Sequence, residues 1–144
     1  MIALDTNVLV RMLIEDDRRQ ARIIEETIAW AEKNSVPVLI LSEVLVETVW
    51  VLESVYQCTR EEISQFLEAL IFTPVFTFVD SQVIRRATHE YKKGGDFADL
   101  LIVNQAKEHQ AKKLISFDKK LQKKFPDFVI EKLKQSDLQK SGHK

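Results

Sequence analysis

Short apolar runs alternate along the chain with longer segments whose apolar residues recur every three or four positions. Such runs predict buried strands, and the longer periodicity predicts helices packed against them. The runs are residues 2–4, 36–41, 75–79, 114–116 and 129–130. Because strands and helices alternate, we expect right-handed crossovers and helices on both faces of one sheet. The pattern therefore predicts a three-layer α/β/α protein with a central, mainly parallel sheet of four to five strands.

Capping residues mark several helix starts. Thr59 and Glu62 have the spacing of a capping box, and Asp17 and Ser42 each precede a segment with helical periodicity. Residues 43–56 are apolar nearly all round, which is more than one core-facing stripe requires. We therefore expect this helix to be buried on two sides.

Length and composition favour one compact domain in a reducing compartment. With 144 residues the chain is long enough for a single core, which we assign to residues 1–134, followed by a polar, frayed tail at 135–144. The single cysteine, Cys58, excludes an internal disulfide, and the three histidines share no metal-ligand spacing. Because no segment approaches the roughly 18 apolar residues that span a bilayer, we expect a cytoplasmic protein without a membrane partner.

Acidic residues collect where the predicted strands end. Asp5 and Asp118 each follow a strand, and helices that start at the same edge carry two acidic pairs. One aspartate in such a place is more often a helix cap than a catalyst, but independent caps do not explain this convergence. The pairs are four and three residues apart, so each shares a helix face; they are Glu43 with Glu47 and Asp96 with Asp99.

Such a cluster favours a hard divalent cation. Two carboxylates ~4 Å apart repel by about 1 kcal/mol in water and by about 4 kcal/mol where partial burial lowers the effective dielectric. Oxygen ligands without cysteine or histidine suit Mg²⁺ or Mn²⁺, which activate water and stabilise charge on phosphate oxygens. The natural chemistry is phosphodiester hydrolysis.

Four segments together resemble the PIN-domain ribonucleases, particularly the VapC-type toxins of toxin–antitoxin modules. They are LDTNVLVR at the start, SEVLVETVWVLESVY in the middle, GGDFADLLI and LISFDKKL, and they span about residues 2–121. The resemblance implies a PIN-like fold, dependence on Mg²⁺ or Mn²⁺, and endonucleolytic hydrolysis of RNA that leaves a 5′-phosphate. It also implies a cognate VapB-like antitoxin as partner.

The resemblance also assigns roles to individual residues. It implies catalytic and metal-binding roles for four acids, with Asp96 adding outer contacts or a second metal. Glu43, one turn before the matching glutamate, is interpreted as an exposed first-turn residue favoured by the helix dipole. Small polar residues beside the acids either orient the carboxylates or only cap helices. The four acids are Asp5, Glu47, Asp99 and Asp118, and the small polar residues are Thr6, Asn7 and Ser116.

Net charge does not by itself indicate a nucleic-acid ligand, because the chain carries a formal charge of −1. If metal neutralises the five acids of the predicted site, 17 other acidic residues remain against 21 basic ones, which permits local attraction of RNA. Candidate phosphate contacts are Arg11, Lys92 and Lys93, and a further basic patch comprises Lys119, Lys120, Lys123 and Lys124.

The two tryptophans, Trp30 and Trp50, are relevant both to core packing and to the binding of partners. We interpret Trp30 and Trp50 first as core residues. The surplus apolar surface around Leu45, Val49 and Trp50 also suggests a homodimer face or a groove for a partner helix.

Other classes of protein remain as alternatives. A response-regulator-like phosphoacceptor requires an acidic neighbour for Asp5 and companions for Asp80, and a haloacid-dehalogenase-type phosphatase requires an aspartate where Asn7 stands. The sequence disfavours both. A catalytically silent PIN-like module that binds RNA or protein shares every motif, and only an assay separates it from the nuclease.

Overall fold

The computed structural model describes residues 1–139 and contains the predicted alternation of strands and helices. All five expected strands are present. Its elements, in chain order, are β1 Ile2–Ala3, α1 Thr6–Leu13, α2 Arg18–Lys33, β2 Val38–Ile40, α3 Ser42–Ser54, α4 Arg60–Ile71, β3 Phe76–Phe78, α5 Ser81–Lys93, α6 Phe97–Glu108, β4 Leu114–Ile115, α7 Lys119–Lys124, β5 Val129–Ile130 and α8 Gln135–Gln139.

The strands form two parallel sheets in the described part of the chain. β1, β2 and β3 lie side by side in that order, with Ile2 opposite Val38 and Val38 opposite Phe76. β4 pairs with β5, and Leu114 lies opposite Val129. The α/β class with parallel strands is therefore as expected, with the five strands divided three and two.

Contacts between residues divide the chain into two compact units, Met1–Phe97 and Ala98–Lys144. In the first unit α1 packs on α3 and α4 packs on α5. Its core consists of fully buried aliphatic and aromatic side chains, among them Leu9, Val38, Ile40, Leu45, Leu52, Ile63, Leu67, Val83, Ile84 and Tyr91. The second unit has a smaller cluster around Val103, Leu121 and Val129, against which Leu114, Phe125 and Phe128 pack. The assignment of residues 1–134 to one domain stays a prediction.

Several caps are as predicted and one is not. The Asp17 carboxylate accepts from the Gln20 amide at 3.0 Å, and Thr59 and Glu62 form both hydrogen bonds of the capping box. The prediction that Ser42 caps α3 is wrong, because Ser42 is the first helical residue and the cap position is Leu41, which makes no side-chain cap bond.

The expected tail contains one short helix. Residues 135–139 form α8, where the Lys134 amide donates to the Asp137 carboxylate at 2.7 Å. Lys113 also lies 4.0 Å from that carboxylate. Residues 140–144, which include His143, lie outside the described residues.

Candidate active site

The turn after β1 joins two of the predicted acids through a threonine. Asp5 is the N-cap of α1, and its Oδ1 accepts a hydrogen bond from the Thr6 amide at 2.8 Å. The Thr6 hydroxyl donates to Glu47 Oε1 on α3, also at 2.8 Å. Among the residues that the structure describes, the second oxygen of each carboxylate accepts no hydrogen bond. The turn therefore presents two linked, exposed carboxylates with one unengaged oxygen apiece.

The position of α3 explains which glutamate Thr6 reaches. α1 packs on α3, and the buried residues Leu45, Val49 and Leu52 anchor α3 on its inner side. Glu47 lies on the exposed side within reach of Thr6, whereas Glu43, also exposed, lies in the first turn of the helix.

A second acid-bearing turn follows β4. Asp118 is the N-cap of α7, and its Oδ1 accepts from the amides of Lys120 and Leu121 at 2.9 and 3.1 Å. The Asp118 amide donates to Ser116 Oγ at 3.1 Å. Within residues 1–139, Asp118 Oδ2 accepts no hydrogen bond. Here too one carboxylate oxygen fixes the turn while the other stays available.

A third turn, Gly94-Gly95-Asp96, connects α5 to α6. Gly94 ends α5 at φ +141° and Gly95 follows at φ +104°, backbone conformations that favour glycine. The two glycines therefore end α5. An alanine Cβ at Gly94 would meet nothing within 4 Å, so the backbone angle rather than crowding is the reason for glycine there.

Arg60 holds this turn in place. Its Nη1 donates to the carbonyl oxygens of Tyr91 and Gly95, each at 2.8 Å, and its guanidinium lies 4.4 Å from the centre of the Tyr91 ring. Phe97 packs edge-on against the same ring, with the ring centres 5.8 Å apart. Charge-assisted hydrogen bonds of this kind are among the stronger ones, and they fix the backbone on both sides of Gly94.

The buried phenol of Tyr91 completes this network. It donates to Glu53 Oε2 at 2.6 Å, and burial together with this hydrogen bond raises the pKa of Tyr91 above its usual range. The phenol therefore remains a neutral donor. This network could not be predicted from the sequence, because the residues that each hydrogen bond joins lie 31 to 38 positions apart.

The remaining predicted acid, Asp99, lies half-buried in the first turn of α6. Across residues 1–139, no group of three or more aspartate, glutamate, histidine or cysteine side chains is arranged to hold a metal ion. The donor types nevertheless fit a hard cation, because Asp5, Glu47 and Asp118 each present an unengaged carboxylate oxygen in the described structure. Convergence of the acids into one cluster stays a prediction.

Comparison with known proteins decides the family. A family model described as the PIN domain matches residues 2–125. The chain belongs to the PIN-domain family. It is also 32% identical over 127 residues to a VapC ribonuclease of Aquifex aeolicus strain VF5, an alignment that covers 85% of this chain and 91% of that protein. The family resemblance of the four motifs is thus confirmed. The comparison with solved structures gave no match.

In this PIN domain, two candidate RNA contacts already have protein partners. The Arg11 guanidinium donates to Gln20 Oε1 at 2.9 Å and to the Tyr56 hydroxyl at 3.3 Å, and it lies 3.5 Å from Asp16. Lys92 lies 4.0 Å from the Glu68 carboxylate. Arg11 therefore links α1 to α2 and to the segment after α3.

The remaining candidate residues near the site are exposed. Lys93, at the end of α5, and Asn7, in the first turn of α1, are both open to solvent.

Cys58 is partly buried, and burial, together with the nearby Glu62, raises the pKa of its thiol. The thiol is accordingly a poor nucleophile.

The assignment of both tryptophans to the core is wrong. The exposed fraction of Trp30 is 53% and that of Trp50 is 62%. The suggested partner face also changes, because Leu45 and Val49 are buried inside the protein. α3 is therefore buried along one side only, and the prediction that it is buried on two sides is wrong. The exposed apolar residues are Trp50 in the helix and Leu41 and Val55 at its two cap positions.

None of the helices within residues 1–139 combines the length and the apolar character needed to cross a bilayer.

Proposed function

We propose that this PIN domain is an endoribonuclease that hydrolyses RNA phosphodiester bonds with Mg²⁺ or Mn²⁺, as the toxin of a type II toxin–antitoxin module. The observation that carries the proposal is the Thr6 hydroxyl, which ties Glu47 to the Asp5 turn and leaves one oxygen of each carboxylate available. The relative from Aquifex aeolicus bears the name ribonuclease. Linked acids in a chain of this family favour nuclease chemistry over a structural cap.

Asp5, Glu47, Asp99 and Asp118 would hold the divalent ion, with Asp96 contributing outer contacts. When bound, such an ion supplies an activated water and neutralises charge on the scissile phosphate. Thr6 fixes the rotamer of Glu47 through its hydrogen bond. Ser116 Oγ accepts a hydrogen bond from the Asp118 amide and so fixes the turn in which Oδ1 caps the helix, and Oδ2 would be the oxygen available to the ion.

Exposed lysines supply phosphate contacts in this proposal. Lys93 is open to solvent at the end of α5, and Lys92 exchanges a weak, exposed ion pair with Glu68 for an RNA phosphate at little cost. Arg11 acts instead through its contacts with Gln20 and Tyr56, which stabilise the helix that follows Asp5.

Replacement of Asp5 by asparagine tests the site. Asparagine keeps the cap hydrogen bond but removes the charge, so cleavage of a structured RNA in Mn²⁺ should fall by about 10²–10³-fold while thermal unfolding stays the same. Asp17→Asn is the matched control, because the Asp17 carboxylate also caps a helix, α2, by accepting from the Gln20 amide. EDTA should abolish cleavage by the parent protein.

Two outcomes would contradict the proposal. Cleavage by Asp5→Asn at the parental rate would remove Asp5 from the site. RNA binding without cleavage under every metal condition would favour the silent PIN-like module.

Partners form a second part of the proposal. We infer a homodimer whose interface includes Trp50 and Val55, exposed residues of α3 and its C-cap, and a VapB-like antitoxin that neutralises the nuclease in the cytoplasm. Trp50→Lys should shift light scattering from dimer towards monomer, with Trp30→Lys as the control on α2. A parent protein that is monomeric at all concentrations would exclude the dimer.

A further inference from the structure

Phe117 is the most exposed large apolar side chain in residues 1–139, with 79% of its surface open to solvent. It lies directly before Asp118, beyond the carboxyl end of β4. Isolated exposed apolar residues are common on protein surfaces. The significance of Phe117 therefore depends on its surroundings.

The backbone on both sides of Phe117 is fixed by hydrogen bonds. The Ser116 amide donates to the Ile130 carbonyl at 3.0 Å, and Gln122 Nε2 donates to the Ser116 carbonyl at 2.7 Å. The Asp118 amide donates back to Ser116 Oγ, so that this bond spans Phe117. The ring is thus carried by a closed turn, and binding to it requires little ordering of the backbone.

Positive charge follows the ring along the chain. α7 begins one residue after Asp118, and four of its six residues are lysines. All four lysines are exposed, and Lys119 also forms an ion pair with Glu131. An exposed aromatic ring beside lysines is the combination with which proteins bind single-stranded nucleic acid, because bases stack on the ring while cations contact phosphates.

We propose that Phe117 is a stacking platform for one base of single-stranded RNA beside the bond to be cleaved. This inference rests on the proposed function, since it takes RNA as the ligand of the Asp118 turn. A phenyl ring has no hydrogen-bonding group, so it accepts any base and adds affinity without reading sequence. Larger purine rings should gain more from the stack than pyrimidines.

The test measures binding separately from cleavage. Labelled single-stranded oligo(A) and oligo(U) of about 12 nucleotides are titrated with full-length protein in EDTA, and fluorescence anisotropy gives the Kd. Phe117→Ala should raise the Kd by about 5- to 100-fold, with the larger effect on oligo(A). Phe117→Trp should restore binding because it restores a stacking ring.

Phe72→Ala is the matched control. Phe72 is 74% exposed and lies 6.0 Å from the Arg85 guanidinium, so it is an exposed phenylalanine beside a cation at a different place. Its replacement should leave the Kd unchanged. Circular dichroism checks that each variant folds.

Each of the remaining outcomes either overturns or supports the role of Phe117 as a stacking platform. An unchanged Kd for Phe117→Ala, an equal loss for Phe72→Ala, or no RNA binding by the parent protein would overturn the stacking platform. So would dissociation of an oligomer by Phe117→Ala with unchanged RNA affinity, which would assign the ring to a protein interface. Binding that depends on Phe117 in a protein that never cleaves RNA would support the platform and refute the nuclease.

Discussion

The turns after β1 and β4 have the same order of structural elements but different surroundings. In each, a two-residue strand leads to an aspartate that caps the next helix, Asp5 for α1 and Asp118 for α7. The residue before Asp5 is Leu4, which is 7% exposed, whereas the residue before Asp118 is Phe117, which is 79% exposed. The first turn is anchored in the core, and the second displays a ring to solvent.

The small polar residue of each turn also acts differently. The Thr6 hydroxyl donates to Glu47, which lies 41 positions away in the chain. Ser116 Oγ instead accepts from the Asp118 amide within its own turn. Each turn therefore places a capping aspartate at the start of a helix, although Asp5 accepts from the Thr6 amide and Asp118 from the amides of Lys120 and Leu121. Tertiary packing decides what surrounds each cap. On the proposed function, the first turn links two of the acids, and the second turn would contact the RNA through its exposed ring.

The prediction with the largest expected effect tests whether Asp118 contributes to RNA cleavage as much as Asp5 does. Asp118→Asn keeps Oδ1 for the Lys120 and Leu121 amides but removes the charge. We expect a fall in cleavage of about 10²–10³-fold, similar to that of Asp5→Asn, with unchanged thermal unfolding. Single-turnover cleavage in Mn²⁺ measures it, and Asp127→Asn, an exposed acid of the same unit, is the control. Parental activity in Asp118→Asn would leave Asp118 as a cap alone.

The next prediction compares how much Leu4 and Phe117, the residues before the two aspartates, contribute to the stability of the fold. Leu4→Ala removes a buried side chain beside β1 and should lower the free energy of unfolding by about 2–3 kcal/mol. Phe117→Ala should change it by less than about 0.5 kcal/mol, because the ring is exposed. Urea denaturation followed by circular dichroism measures both. Equal losses would mean that Phe117 is buried in solution and would remove the contrast.

Local features of the fold could be predicted from sequence because their hydrogen bonds join residues a few positions apart. The capping box at Thr59 and Glu62 and the cap at Asp17 depend on side chains that accept from amides three positions away along the chain. The parallel strands follow from apolar periodicity in the same way. Ser42 failed as a cap because a serine at a helix start fits the first helical position equally well.

Side-chain placement on α3 could not be predicted, because a helix that is apolar nearly all round does not indicate which side faces the core. Trp50 was assigned to the core for this reason and is exposed. The hydrogen-bond partners of the candidate-site residues could not be predicted either. Glu47 was singled out by family resemblance, but its bond to Thr6 and the Arg60 bond to Gly95 connect distant segments that only the fold brings together.

The smallest effect tests whether that long-range bond is what distinguishes the first turn. Thr6→Val keeps the Thr6 amide that Asp5 accepts and removes the hydroxyl that orients Glu47. Because only the orientation of one acid changes, kcat should fall by about 10- to 100-fold, while the KM stays close to parental. The free energy of unfolding should change by about 0.5–1.5 kcal/mol, as for an ordinary hydrogen bond.

Thr6→Ser supplies the control, since it keeps the hydroxyl and should retain parental kcat. Ser116→Ala, which removes the hydroxyl of the second turn, should reduce kcat less than Thr6→Val, because two backbone amides still hold Asp118 Oδ1. Equal activity of Thr6→Val and Thr6→Ser would show that Glu47 needs no such orientation. The two turns would then differ only in the residue that precedes each aspartate.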